Sequence, residues 1–259
     1  MDRIAELFAR CHRENRAALI IYSCCGYPAP GADETAFETA IAAGADIIEL
    51  GVPFSDPMAD GPVICTASQR ALANGTKFRD VLVLAGRLRQ RHPETGIIVF
   101  SYMNVLYNFG LERLCTELAA IGVDGILAVD LPLEERDELL TLCRKNQLHL
   151  IPLVAPETPD ERAEKIVAPA TGFVYCVSRN GVTGESATLP PELTTRLEKL
   201  RRVSPVPVAV GFGISTPQTA HEIARVADGI IAGSAFVRSL TEPEQSRTLV
   251  AALATAAHR

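Results

Sequence analysis

The sequence has 259 residues, of which 47% are hydrophobic and 22% charged, with a net charge of −6 and a pI of about 5.5. This composition excludes a disordered chain, and its acidic balance argues against nucleic acid as a main partner, because phosphate backbones need a basic face. It leaves room for a small phosphorylated ligand, which backbone amides can hold without many cations.

In chain order, Ile4, Leu7, Phe8 and Cys11 fall at helical spacing and predict a short N-terminal helix. The same N-terminus, Met1 to Leu7, lacks the basic start and apolar run of a signal peptide. Ala17 to Ser23 is a nearly continuous apolar run, the mark of a strand buried on both faces. A helix follows near Asp33 to Ala43, then a strand from Asp46 to Leu50 that ends on Gly51 and Pro53. Helices are predicted from Pro62 through Ala73 and from Phe78 to Arg91, and a third strand over Gly96 to Ser101. The alternation continues with helices at Leu111 to Ile121, Glu134 to Lys145, Asp160 to Val167, Pro191 to Val203, Gln218 to Val226 and Glu244 to Ala257. The strands between them are Asp124 to Val129, His149 to Val154, Gly172 to Val177, Val206 to Val210 and Asp228 to Ala232.

Eight short apolar strands alternating with helices predict an α/β chain with a parallel sheet, and eight units in this length fit a (β/α)8 TIM barrel. An open doubly wound sheet is the alternative architecture. No composition break divides the chain, so residues 1–259 are expected to form a single barrel domain with the extra N-terminal helix. A barrel places function in the loops after the strands. No apolar run reaches the ~18 residues of a membrane span. The seven cysteines (Cys11, Cys24, Cys25, Cys65, Cys115, Cys143 and Cys176) show no Cys-x-x-Cys pair and no metal spacing with histidine. They read as reduced core residues of a cytoplasmic protein without a metal. The five histidines, His12, His92, His149, His221 and His258, fall away from the expected catalytic face and read as structural.

Three stretches can carry chemistry. The first is Glu49 to Pro62, where a carboxylate closes an apolar strand and Asp56 and Asp60 follow in a Gly- and Pro-rich loop. Alternation along the strand puts Glu49 on the face of Ile47, opposite Leu50, so it points into the barrel mouth if Leu50 packs on helices. Apolar walls there would raise its pKa and let it pass protons both ways near neutrality. Capping by nearby backbone amides remains the other reading of Glu49, and ordinary turn chemistry that of Asp56 and Asp60. The second stretch is Ser178 to Gly184, a polar loop of the kind that forms lids, or a surface loop. The third is Gly211 to Ser215 with Gly233-Ser234, after strands seven and eight, the usual phosphate position in barrels.

The run Glu-Leu-Gly-Val-Pro-Phe-Ser-Asp-Pro-Met-Ala-Asp-Gly-Pro (49–62) closely resembles the signature of the tryptophan synthase alpha chain family. Matches continue in the family's order at Tyr102-Met103-Asn104, Asn108-Phe109-Gly110, Asp130-Leu131-Pro132, Ser178 to Gly184, Gly211 to Ser215 and Gly233-Ser234. The resemblance implies a (β/α)8 barrel that splits indole-3-glycerol phosphate into indole and glyceraldehyde 3-phosphate, a retro-aldol reaction without a cofactor. It implies Glu49 as the general acid/base and Asp60 as the acid facing the indole N–H. Tyr22, Phe100, Tyr102, Leu127, Val129, Tyr175, Phe212 and Ile231 are implied around the substrate, and Thr183 at the lid. Gly184, Gly213, Gly233 and Ser234 match the phosphate cradle. Asp56, Asn104, Asn108 and Pro132 match the face that contacts a beta subunit in an α2β2 complex. Pyridoxal phosphate belongs to that partner, which joins indole to serine. Around the first strand the chain departs from the family: Ser23-Cys24-Cys25-Gly26-Tyr27-Pro28 stands where Thr-Ala-Gly-Asp-Pro is usual, so Tyr27 replaces an acid. A stand-alone lyase that releases free indole, a mainly activating subunit and another phosphate-binding barrel are the competing functional readings.

Overall fold

A computed structural model describes residues 2–178, 191–211 and 213–259. The first strand, β1 (Ala18–Cys24), pairs in parallel with β2 (Ile47–Gly51) on one side and β9 (Gly229–Ala232) on the other. From β2 the sheet continues through β3 (Gly96–Ser101) and β4 (Gly125–Ala128) to β5 (His149–Leu150). From β9 it continues through β8 (Val208–Gly211) and β7 (Val174–Val177) to β6 (Leu153–Val154). The two ends, β5 and β6, are consecutive in the chain. Ile151 N donates to Ile126 O at 2.8 Å on one side, and Tyr175 N donates to Pro152 O at 2.9 Å on the other. The segment 149–154 thus closes the sheet into the barrel that the eight-fold alternation predicts. One predicted strand appears as two short ones because Pro152 has no N–H to give the ladder.

Side chains alternate across this wall as the pleat requires. Ile20, Tyr22, Ile47, Ile98, Phe100, Leu127, Ala209 and Ile231 share the inner cluster. Their neighbours Ile21, Ile48, Leu50, Val99, Val210 and Ile230 pack outward against the helices. These strands read as unbroken apolar runs because both faces are covered.

The N-terminal helix α1 (Arg3–Arg13) plugs the barrel floor with Ile4, Leu7, Phe8 and Cys11. The Phe8 and Phe173 rings meet at 5.8 Å. At roughly 1.5–3 kcal/mol for each large apolar side chain buried, this docking outweighs the weak stability of an isolated eleven-residue helix. Three aspartates repeat one device on the same floor. Asp46 accepts from Leu19 N at 2.9 Å, Asp124 from Ile97 N at 2.8 Å and Asp228 from Val208 N at 3.0 Å. Arg16, Arg89 and Arg201 neutralise them in turn. Charges this close to the core persist because each is both paired and hydrogen-bonded.

The outer layer is formed by α2 (Ala32–Ala42), α3 (Pro62–Ala73), α4 (Phe78–Arg91), α5 (Met103–Phe109), α6 (Leu111–Ile121), α7 (Asp137–Lys145), α8 (Asp160–Val167), α9 (Pro191–Val203), α10 (Pro217–Ala224), α11 (Ser234–Ser239) and α12 (Pro243–Ala256). Two features differ from the sequence expectation. The short helix α5 directly follows β3, where no helix is predicted. The helix predicted from Glu134 begins instead as a 3-10 turn, Leu133–Glu135, before α7. Among the described residues no helix is long and apolar enough to cross a membrane.

Candidate active site

Strand alternation builds the position of Glu49. Leu50 packs outward, so Glu49 faces inward with Ile47, as its place in the strand predicts. The side chain is fully buried, and neither carboxylate oxygen has a hydrogen-bond partner among the described residues. Capping by backbone amides is therefore not its role. Burial pushes its pKa up to about 8, since a charged carboxylate there would lose its hydration without compensation.

Two aromatic rings lie next to it. Tyr22 is the cross-strand partner of Glu49, and Phe100 is that of Gly51. Their centroids are 5.0 Å apart at an interplanar angle of 72°, an edge-to-face contact. Gly51 makes this possible, because a Cβ there would sit 2.4 Å from the Tyr22 hydroxyl. Gly211 does the same for Tyr175, with a Cβ position 2.2 Å from that hydroxyl. Glycines at the ends of β2 and β8 thus let two tyrosines lie across the barrel mouth. Burial raises both phenols well above their ordinary range, so both remain neutral hydroxyls.

Asp60 lies in the loop between β2 and α3. Its Oδ2 accepts from the Tyr102 hydroxyl at 2.8 Å, and that hydroxyl oxygen accepts from Ala59 N at 3.1 Å. Tyr102 in turn stacks on Phe54, with centroids 5.0 Å apart, and Ser68 of α3 ties both backbone groups of Phe54. Burial raises the Asp60 pKa, and the Tyr102 hydrogen bond opposes that rise by stabilising the carboxylate. The sequence resemblance places Tyr102 at the substrate; the structure shows it as a clamp on Asp60.

A cavity of about 280 Å³ opens beside Asp60 and the two tyrosines; Glu49, the cross-strand partner of Tyr22, is not among its lining residues. Tyr22, Phe100, Tyr175, Asp60 and Ile64 of α3 line it together with Gly213, Ser215, Gly233 and Ser234. The candidate catalytic acid of the loop and the candidate phosphate loops therefore share one space. Leu127 and Ile231 belong to the inner cluster with Tyr22 and Phe100, and Val129 packs against it. Thr183, Gly184 and Phe212 lie outside the described residues. Ile64 and Arg238 of the cavity wall are absent from the sequence-based set. A readable signal existed for Arg238, which stands four residues after Ser234 and so on the same face of a helix starting there.

Asp56, Asn104, Asn108 and Pro132 are all exposed. The loops that carry them are joined: Tyr102 reaches the Asp60 loop, and Met103 N donates to Asp130 Oδ1 at 2.8 Å. Asn108 donates to Asn104 at 3.0 Å along α5. Two large apolar side chains stand out on this sector, Met58 at 89% exposed and Tyr107 at 49%. A soluble surface rarely displays such groups together without a contact to make.

The departure after β1 is accommodated by packing. Cys24 and Cys25 are buried, and burial pushes the Cys24 thiol up to about 12, which keeps it from acting as a thiolate. Gly26 N donates to Asp33 Oδ2 at 2.7 Å, so a neighbouring helix supplies a carboxylate to this turn. Among the described residues no cluster of His, Cys, Asp or Glu is placed to hold a metal ion.

Comparison with known proteins bears on the same residues. A family model described as "Tryptophan synthase alpha chain" matches residues 8–259. The chain is 45% identical over 253 residues to the tryptophan synthase alpha chain of Chloroflexus aurantiacus, covering 97% of this chain and 95% of that one. It is 46% identical over 261 residues to the alpha chain of Halorhodospira halophila, covering 98% and 95%. Among solved structures, tryptophan synthase from Mycobacterium tuberculosis superposes with a TM-score of 0.93 at 36% identity, covering 100% of this chain and 99% of that one. The tryptophan synthase alpha chain of Legionella pneumophila gives 0.89 at 33% identity, covering 99% and 97%. The signature that surrounds Glu49 and Asp60 thus sits in a full-length match, and the chain belongs to the tryptophan synthase alpha chain family.

Proposed function

We propose that Glu49 and Asp60 carry the indole-3-glycerol phosphate lyase reaction of this family, acting on a substrate that spans the cavity from the tyrosine pair to the Gly213 and Gly233 loops. The observation that supports this most directly is the fully buried Glu49 carboxyl, unpartnered among the described residues, whose pKa of about 8 keeps a transferable proton at neutral pH.

The steps balance within the protein. The Glu49 carboxylic acid gives its proton to C3 of the indole ring, which leaves the ring cationic at nitrogen. Asp60, as a carboxylate, accepts a hydrogen bond from the indole N–H and stabilises that charge. Glu49, now a carboxylate, takes the proton of the side-chain hydroxyl next to the ring. The C–C bond breaks, its electron pair returns to the indole, and the aldehyde of glyceraldehyde 3-phosphate forms. No oxidant, water or cofactor enters the sum. Tyr22, Phe100 and Tyr175, supported by Leu127, Val129 and Ile231, form the slot for the flat ring. Gly213, Gly233 and Ser234, together with Gly184, form the phosphate end, where small residues permit close backbone approach. Thr183 and Phe212 complete the lid and the ring slot in this reading.

The exposed sector of Asp56, Met58, Asn104, Tyr107, Asn108 and Pro132 supports docking of a beta subunit in an α2β2 assembly, which carries pyridoxal phosphate and receives the indole. A cytoplasmic location accords with this role. The test is indole release from indole-3-glycerol phosphate by the purified protein, alone and with a beta subunit. Turnover that rises on addition of the partner is expected, with Glu49→Gln and Asp60→Asn each reducing it by at least about a hundredfold. Near wild-type turnover in either variant would overturn the mechanism, and rapid turnover without any partner response would favour the stand-alone lyase.

A further inference from the structure

Arg238 is the one basic side chain on the cavity wall among the described residues. It lies four residues after Ser234 in α11, and positions i and i+4 share one helix face. A helical side chain also leans back over the turn N-terminal to it. Arg238 therefore shares a helix face with Ser234, and both line the same cavity as Gly233 and the Gly213-Ile214-Ser215 loop.

Its electrostatic situation differs from that of the arginines on the barrel floor. Arg16, Arg89 and Arg201 are each held by an aspartate on the barrel floor. Arg238 has no side-chain hydrogen bond or ion pair among the described residues, in a protein of net charge −6. The other charged group on the cavity wall, Asp60, is engaged by Tyr102 and forms no ion pair with Arg238. The cavity wall therefore carries one acid, Asp60, and, among the described residues, one uncommitted guanidinium, Arg238.

We propose that Arg238 is a specificity-determining residue of the lyase, binding the substrate's phosphoryl group through its guanidinium. The inference rests on the lyase reading above and adds a charged contact to a cradle otherwise made of small residues. A planar guanidinium matches two phosphate oxygens in a bidentate contact, which a lysine ammonium meets only as a point charge. The contact favours the phosphorylated substrate over its uncharged dephosphorylated counterpart, and it loses strength as salt rises because Arg238 is exposed.

The experiment compares wild type, Arg238→Gln and Arg238→Lys in the full chain with a beta subunit present. Inorganic phosphate and glycerol 3-phosphate serve as direct binding probes by calorimetry, alongside kcat and KM for indole-3-glycerol phosphate. In Arg238→Gln, both probes are expected to bind about tenfold more weakly, equivalent to about 1.4 kcal/mol. The loss in kcat/KM is expected to be carried by KM, with Arg238→Lys intermediate. Affinity for indole-3-glycerol, which lacks the phosphate, is expected to be unmoved. Equal probe affinities in wild type and Arg238→Gln, or an equal loss for indole-3-glycerol, would overturn the proposal. If wild type fails to turn over indole-3-glycerol phosphate, the lyase reading fails, while the phosphate titrations still report on Arg238. Matching thermal melts for Arg238→Gln and Arg238→Lys separate a binding defect from misfolding.

Discussion

Replacing Glu49 by Gln is expected to make the protein inactive and more stable, with the gain growing as pH rises. The carboxyl ordinarily titrates near 4.5, and in the folded barrel it is pushed up to about 8 by burial. Below the lower value both folded and unfolded chains carry the proton, and the group costs nothing. Between the two values the unfolded chain ionises while the folded chain keeps its proton, so stability falls as pH rises. The slope approaches 1.36 kcal/mol per pH unit, which accumulates to roughly 3 kcal/mol between about pH 5 and about pH 7.5. Glutamine is nearly isosteric and cannot ionise. Its amide is as unpartnered as the carboxyl it replaces, so the cost of the buried polar group is similar in both proteins. Urea unfolding of wild type and Glu49→Gln across this pH range measures the difference directly. A stability difference that changes by less than about 1 kcal/mol over the range would refute the raised pKa. With it would fall the account of how Glu49 holds a proton at neutral pH.

Tyr102→Phe removes the hydroxyl that holds Asp60 and that accepts from Ala59 N. Because that hydrogen bond opposes the burial-driven rise in the Asp60 pKa, its loss moves Asp60 ionisation to higher pH. The acidic limb of the kcat/KM profile is expected to shift upward and kcat/KM to fall about tenfold, given roughly 1.5–3 kcal/mol for a hydrogen bond to a charged group. An unshifted limb would show that Tyr102 does not act through Asp60. Gly211→Ala places a methyl where the Tyr175 hydroxyl now lies, 2.2 Å from its oxygen. Displacing the ring is expected to cost about 1–3 kcal/mol of stability by overpacking and to raise KM, as read by thermal melts and steady-state kinetics. An unchanged KM would mean that Tyr175 does not shape the substrate slot.

Most of the scaffold was legible in the order of the residues. The eight-fold alternation of apolar runs and helical periods points to a parallel sheet and fits a barrel, because strands covered on both faces lose polar alternation; that the sheet closes is seen only in the hydrogen bonds of residues 149–154. The parity of Ile47, Glu49 and Leu50 puts Glu49 opposite Leu50, since side chains on a strand have a period of two, and it aims Glu49 inward once Leu50 packs on helices. The signature from Glu49 to Pro62 and its later companions carried the family. What tertiary structure decided depends on atoms far apart in the chain. Whether Glu49 is capped or unpartnered turns on what surrounds it, and only the closed barrel shows a buried carboxyl with no hydrogen-bond partner among the described residues. Tyr102 acts on Asp60 across 42 positions, a contact that no local pattern encodes. The glycines at 51 and 211 make room for tyrosines on neighbouring strands, so their purpose appears only once the register is formed. Arg238 joins the cavity because closure brings β9 beside β1, placing a helix from the end of the chain against the loop that follows β2. Local periodicity is written in neighbouring residues, whereas the electrostatics of a site are set by whatever the fold brings within a few ångströms.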